Sequence, residues 1–190
     1  MYKGLRMVLA SASPRRREIL TRLGFQFEVH TSNVPEDDVT GRVSDMVTLL
    51  SRRKAEHVAL EEKDALVIGC DTLVSLDGLP LGKPHSPEDA RRMLLALSGR
   101  AHEVVSGLCL INTKSQEVFS CCDTTSVLFR ALTLKEIDDY VESGEPMDKA
   151  GAYAIQGGAG KFVEKIDGSY DNIVGFPSEK FLALLDDAVH

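Results

Sequence analysis

Stretches patterned as strands alternate with stretches patterned as helices along the whole 190-residue chain, with no linker, internal repeat or low-complexity segment between them. Interleaving of this kind is satisfied by helices packed on a sheet, so the pattern predicts an α/β fold with a mixed, twisted sheet flanked by helices. Residues 5–10 read as a short strand. Ser13-Pro14 then opens a helix, with Ser as N-cap and Pro at the first helical position, and Gly24 ends it. Residues 25–31 alternate like a half-buried strand, and a polar loop follows around Pro35–Asp38. Residues 44–60 carry apolar residues at helical spacing. Residues 65–76 are a β-rich apolar run interrupted by Asp71, and Asp77-Gly78 is a hairpin signal. Ser86-Pro87-Glu88-Asp89 starts a helix with a variant capping box that stops at Ser98-Gly99. Two strands (102–112 and 117–130), a capping box at Thr133–Glu136 with a helix to about Gly144, a glycine-rich stretch over 151–160, a strand over 162–166 and a last helix over 178–185 complete the order.

A chain of this length can bury a core without disulfides, and one domain spanning residues 1–190, or two tightly joined lobes, is expected. The formal net charge of -7 argues against a broad nucleic-acid-binding surface but leaves room for a small phosphorylated ligand held by a few clustered cations. Cys70, Cys109, Cys121 and Cys122 form no CxxC pair, and no Cys/His spacing resembles a zinc site, so they read as free thiols in a reducing compartment. The apolar run at Met7–Ala12 is too short for a signal peptide and is followed at once by arginines. No stretch approaches the ~20 apolar residues of a membrane span, so a cytoplasmic location is expected, with no membrane partner.

Four features bear on chemistry. Ser11-Ala12-Ser13-Pro14-Arg15-Arg16-Arg17 places three arginines at a helix N-terminus, where the backbone already carries partial positive charge. Either an anion offsets the repulsion there, or the arginines point to solvent or pair with distant carboxylates. Asp71 sits in an apolar run, where a carboxylate is costly unless paired or metal-bound. It reads as a general base or magnesium ligand, or else as a strand-end Asp capping a turn. Lys54, Lys83 and Lys149 each read singly as solvated surface lysines and gain weight only by converging on one site. The glycine-rich stretch 151–160 fits either close backbone approach to a ligand or a flexible surface loop. Glu36, in the acidic loop, reads alone as solvated charge.

Taken together, Leu9–Arg16, Ile68–Thr72, Gly82-Lys83-Pro84, Leu97-Ser98-Gly99, Glu145–Gly157, Ile166–Tyr170 and Val174–Pro177 resemble the Maf family of nucleotide pyrophosphatases, in the expected order over nearly the whole chain. The resemblance implies an α/β fold of the Maf/ITPase-like type, two lobes around a central cleft, a cytoplasmic homodimer, and divalent-metal-dependent hydrolysis (Mg²⁺ or Mn²⁺) of a nucleoside triphosphate between its α- and β-phosphates. By the same resemblance Ser11, Arg15 and Arg16 match the phosphate-binding turn, and Glu36 an acidic site residue. Lys54 and Lys83 match the family's two lysines, and Asp71 its proton acceptor. Glu36 and Asp71 together would hold the Mg²⁺ or Mn²⁺, which prefer oxygen ligands. Arg16, Thr72 and Gln156 match positions that separate substrate types and resemble the dTTP/UTP type. A glutamine amide offers one donor and one acceptor, which suits the O4 and N3–H edge of uracil or thymine. The alternatives are a 7-methyl-GTP or other modified-purine pyrophosphatase, and a non-catalytic nucleotide-binding regulator of cell division. Cys70 stands where the family usually has Ala, with little effect expected.

Overall fold

The computed structural model describes residues 4–36 and 38–188; Asp37 of the acidic loop and His190 lie outside them. In chain order the elements are β1 (Arg6–Leu9), α1 (Pro14–Arg22), β2 (Glu28–Val29), α2 (Val43–Ala59), β3 (Ala65–Leu76), β4 (Leu79–Leu81), α3 (Pro87–Leu97), β5 (Ala101–Asn112), β6 (Glu117–Phe129), α4 (Leu134–Glu142), three 3₁₀ turns (Glu145–Asp148, Ala150–Ala152, Gly158–Phe162), β7 (Val163–Asp167), α5 (Tyr170–Val174) and α6 (Ser178–Asp187). The strands form one seven-stranded sheet, ordered β2-β1-β3-β5-β6-β7, with β4 paired to β3. β1 runs parallel to β2 and β3, whereas β3–β4 and β6–β7 are antiparallel, so the sheet is mixed, as the alternating pattern predicts. Among the described residues no helix is long and apolar enough to cross a membrane.

The chain divides into two compact units and passes from one to the other within β3, β5 and β6 and again after α5. The first unit comprises residues up to Thr72, Ser106–Asp123, and Gly175 onward. Its organising contact is α2 against β3 and β5. The buried stripe of α2 is Val43, Val47, Leu50, Ser51, Lys54, Ala55 and Val58, one face of a helix at 3.6 residues per turn. Two strand glycines let that face come close. A Cβ on Gly69 would lie 2.1 Å from the Ser51 carbonyl oxygen, and one on Gly107 would lie 2.1 Å from that of Val47. The strands therefore present bare backbone to the helix at two points, which is the usual reason for glycine inside a strand. Val8, Ala10, Ala65, Val67, Cys109 and Ile111 pack with Ala55 and Val58 in the resulting core.

The second unit comprises Leu73–Val105 and Thr124–Val174. Its core is aromatic: Phe129 packs edge-on against His102, Tyr153 and Phe162, with ring centroids 4.9, 4.8 and 6.0 Å apart. Helix α4 starts with the predicted capping box, Thr133 and Glu136 each accepting from the other's backbone N–H. At α3 the box is altered. The Ser86 hydroxyl accepts from the Asp89 N–H, but the Asp89 carboxylate reaches one residue further back, to the N–H of His85.

Three sequence expectations change. Only Glu28–Val29 of residues 25–31 join the sheet, paired with Val8 and Leu9 of β1; the predicted half-buried alternation persists, with Phe25 stacked edge-on against Phe181 at 5.3 Å. Ser13 occupies the N-cap position of α1, but its side chain makes no capping bond. The glycine-rich stretch is a series of 3₁₀ turns with Gly151, Ala152, Tyr153 and Ala159 buried, rather than a flexible surface loop, and α5 carried no sequence signal.

Replacing Gly69 by Ala should cost about 3 kcal/mol in urea unfolding, since backbone rather than a flexible side chain blocks the new methyl. Gly82→Ala, with open space around its Cβ position, should stay within about 0.5 kcal/mol. His102 supplies a second test. Burial holds its imidazole down at about 4, against an ordinary 6.5. Below pH 6.5 the unfolded chain takes a proton on this ring that the folded protein refuses until about pH 4. Stability should therefore fall as pH drops through that interval, by about 3 kcal/mol in all. His102→Gln should flatten that slope relative to the parent protein.

Candidate active site

Alternation along β3 sorts its central residues onto two faces. Gly69 and Asp71 face α2, whereas Cys70 and Thr72 face the turn at Gly175. Asp71 and Lys54 are 6% and 9% exposed, and the Lys54 ammonium lies 2.5 Å from Asp71 Oδ1. The same ammonium lies 2.8 Å from Glu36 Oε1, on a side chain that is half exposed. Lys54 is thus not a solvated surface lysine: it belongs to the buried stripe of α2 and joins two carboxylates, one buried and one open to solvent. Nor does Asp71 cap a strand end, since β3 continues for five residues beyond it, to Leu76. Both charges are held out of water, which is tolerable only because they are paired.

The arginines at the start of α1 behave differently from one another. Arg16 is held at three points: Nε donates to the Gly175 carbonyl at 2.9 Å, one terminal nitrogen donates to Ser11 Oγ at 2.9 Å, and the other reaches Thr72 Oγ1 at 3.4 Å. Thr72 Oγ1 is also 2.8 Å from Ser106 Oγ and donates to the Gly175 carbonyl at 3.3 Å. Three bonds leave part of the five-donor guanidinium unused, in a fixed orientation. Ser11 Oγ accepts from the Ser13 N–H at 3.2 Å, so this turn is closed from Ser11 instead of from the N-cap side chain. Arg15 has its Nε buried without a hydrogen-bond partner. The first turn of α1 also carries no acidic residue and no side-chain cap. Unused N–H donors, cationic side chains and a positive helix end in one place are the requirements of an anion site.

The remaining predicted residues belong to the second unit. Lys83 is exposed, and its turn is tied to the lysine turn at Lys149 by a hydrogen bond from the Gly151 N–H to the Gly82 carbonyl at 3.0 Å. Lys149 is ion-paired with Asp148. Gln156 is exposed and its side chain makes no hydrogen bond among the described residues. Contacts therefore join Ser11, Arg16 and Thr72 to one another and Glu36, Lys54 and Asp71 to one another, with Arg15 on the same helix turn as Arg16; Lys83 and Gln156 stand on loops of the other unit.

Sequence reasoning missed Ser106 and the Gly175 carbonyl, and the part played by Gly69 and Gly107. A polar residue within the buried run of β5 was the available signal for Ser106, and glycine inside strand patterns was the signal for the other two. Cys70 is fully buried, its Sγ is 3.5 Å from the Gly175 carbonyl, and burial pushes its thiol up. It packs as a small apolar group.

Among the described residues no three His, Cys, Asp or Glu side chains gather as a metal cage. Glu36 and Asp71 nevertheless already share one cationic partner. Two hard carboxylate oxygens fit a magnesium-like ion that completes its shell from water and substrate phosphates rather than from protein.

These features define an α/β protein that gathers cations at a helix N-terminus bonded to Thr72, the strand residue next to a buried, ion-paired carboxylate. Residues 6–188 match the family model described as Maf-like protein, and the chain belongs to that family. A dTTP/UTP pyrophosphatase of Clostridium perfringens (strain SM101 / Type A) is 48% identical, over 96% of this chain and 96% of its own. A dTTP/UTP pyrophosphatase of Geobacter sulfurreducens is 47% identical over 93% of each. Among solved structures, the Staphylococcus aureus Ham1 protein aligns with 96% of this chain and 98% of its own, with a TM-score of 0.52 and 18% identity, a likeness of fold.

Removing one member of the buried pair should be costly. Lys54→Met leaves the Asp71 carboxylate facing α2 without its ammonium and should lower unfolding free energy by about 3 kcal/mol. Combining it with Asp71→Leu should recover much of that loss. Glu36→Gln, at a half-exposed position, should cost less than about 1 kcal/mol.

Proposed function

We propose that the protein is a nucleoside triphosphate pyrophosphatase that hydrolyses dTTP and UTP, and related modified pyrimidine nucleotides, to the monophosphate and pyrophosphate. In this reading it is a cytoplasmic homodimer that cleans the nucleotide pool and uses Mg²⁺ or Mn²⁺. The observation that carries the reading is a buried strand carboxylate, Asp71, held by Lys54 together with the exposed carboxylate of Glu36. A stability-driven sequence would put an apolar residue at such a position. The names of the two curated relatives above, 48% and 47% identical over 96% and 93% of this chain, support the substrate class.

In the proposed reaction a water oxygen bonds to the α-phosphorus in line with the departing β-phosphate oxygen, and the α–β anhydride bond breaks. Asp71 accepts the proton of that water. Lys54 occupies Asp71 Oδ1, which leaves the other carboxylate oxygen to meet the water. Glu36 and Asp71 would hold the divalent ion, which supplies charge neutralisation at the phosphates when bound. Arg15, Lys54 and Lys83 offset the charge developing on the pyrophosphate leaving group. Ser11 and Arg16 seat the phosphates at the α1 N-terminus. Thr72, bonded to Arg16, helps fix that arginine, and Gln156 meets the O4 and N3–H edge of the base.

Pyrophosphate release from a panel of nucleoside triphosphates, with Mg²⁺, Mn²⁺ or EDTA, checks the reading. Metal-dependent release from dTTP and UTP is expected, with solvent ¹⁸O appearing in the monophosphate. Activity confined to a purine would overturn the substrate assignment and keep the chemistry. A folded protein that releases nothing from any of them would be a nucleotide-binding module.

A further inference from the structure

Among the described residues the Gln156 side chain makes no hydrogen bond, so the place of its amide is set by the backbone that carries it. That backbone is held from both sides by one pair of residues. Two positions before Gln156, the Ala154 N–H donates to Tyr140 Oη at 3.1 Å. Two positions after it, the Gly158 N–H donates to both carboxylate oxygens of Glu145 at 3.1 Å. The pair is itself joined, Tyr140 Oη donating to Glu145 Oε1 at 2.9 Å. Gly157 lies against the same carboxylate: a Cβ there would fall 1.9 Å from Glu145 Oε1, while its backbone φ of -108° is ordinary. Glycine is needed at 157 for the space the carboxylate takes.

The clamp stands on rigid ground. Tyr140 is buried on α4, its ring edge-on to Phe162 at 5.3 Å, and burial raises its phenol so that it remains a donor across the working pH range. We propose that Tyr140 and Glu145 are positioning residues for Gln156, and that they set the base selectivity of the reaction without touching the base. This rests on the reading of Gln156 as the group that meets the base.

The test is the ratio of kcat/KM for dTTP to that for GTP, in the intact protein and in Tyr140→Phe, Glu145→Ala, Glu145→Gln, Gln156→Ala and the Tyr140→Phe/Gln156→Ala pair, each checked for folding by thermal melting. Tyr140→Phe and Glu145→Ala should lower the ratio at least about tenfold, mainly through KM for dTTP, as expected when a contacting group is misplaced. Glu145→Gln keeps an acceptor oxygen and should restore most of the ratio. Adding Tyr140→Phe to Gln156→Ala should leave the ratio unchanged, whereas a general loss of structure would add to it. If Gln156→Ala lowers the ratio while Tyr140→Phe and Glu145→Ala hold it within about twofold of the parent, the clamp is overturned and the reading of Gln156 stands. If Gln156→Ala itself leaves the ratio unchanged, the reading of Gln156 falls, and the clamp's role in selectivity falls with it.

Discussion

The ion pair between Asp71 and Lys54 is the contact that organises the first unit's chemistry. A carboxylate in the middle of a buried strand is unfavourable unless a cation reaches it, and a lysine on a packed helix is unfavourable for the same reason. Each makes the other tolerable, and they meet only because α2 lies unusually close to β3. That closeness comes from Gly69 and Gly107, which clear the strand surface under Ser51 and Val47. The chain of cause runs from two glycines to a helix position, from there to a lysine reach, and so to a carboxylate held in a fixed direction. Glu36 then extends the pair to solvent, where a ligand can arrive.

A second tension lies at the N-terminus of α1. Positive side chains, unused N–H groups and a positive helix end all push the same way, and no acidic residue or cap offsets them. Arg16 escapes by bonding to Ser11, Thr72 and the Gly175 carbonyl, but Arg15 keeps a buried Nε without a partner. An arrangement like this costs stability, and an anion at the turn would offset it. Thr72 follows Asp71 directly in β3, so the anion-seeking turn and the buried carboxylate are linked through one strand.

Much of this was legible in the sequence, for physical reasons that differ by element. Strand and helix order could be read from periodicity, and the α4 capping box from Thr133 and Glu136, because those signals are local. The arginine turn and Asp71 stood out because each breaks a local rule: cations at a positive helix end, and a charge in an apolar run. Lys54 and Glu36 did not stand out alone, since nothing nearby in the chain marks one as buried or the other as its partner. Their weight came from family resemblance and then from an ion pair between residues 17 and 18 positions apart. The length of β2 was not legible because strand pairing is a non-local contact that the alternation of residues 25–31 does not report, and the 3₁₀ turns after α4 were not because Glu145, Tyr140 and Gly157 interlock only in three dimensions.

The central claim is that Asp71 is kept in the strand for chemistry rather than for stability. The most direct measurement compares Asp71→Asn with the parent in turnover of dTTP and in unfolding free energy. Asparagine has the same shape and still offers Lys54 an oxygen, while Glu36 retains the ammonium's charge. Turnover should fall about a thousandfold while unfolding free energy changes by no more than about 1 kcal/mol. Near-normal turnover in a stably folded variant would contradict the account and make Asp71 a structural partner of Lys54.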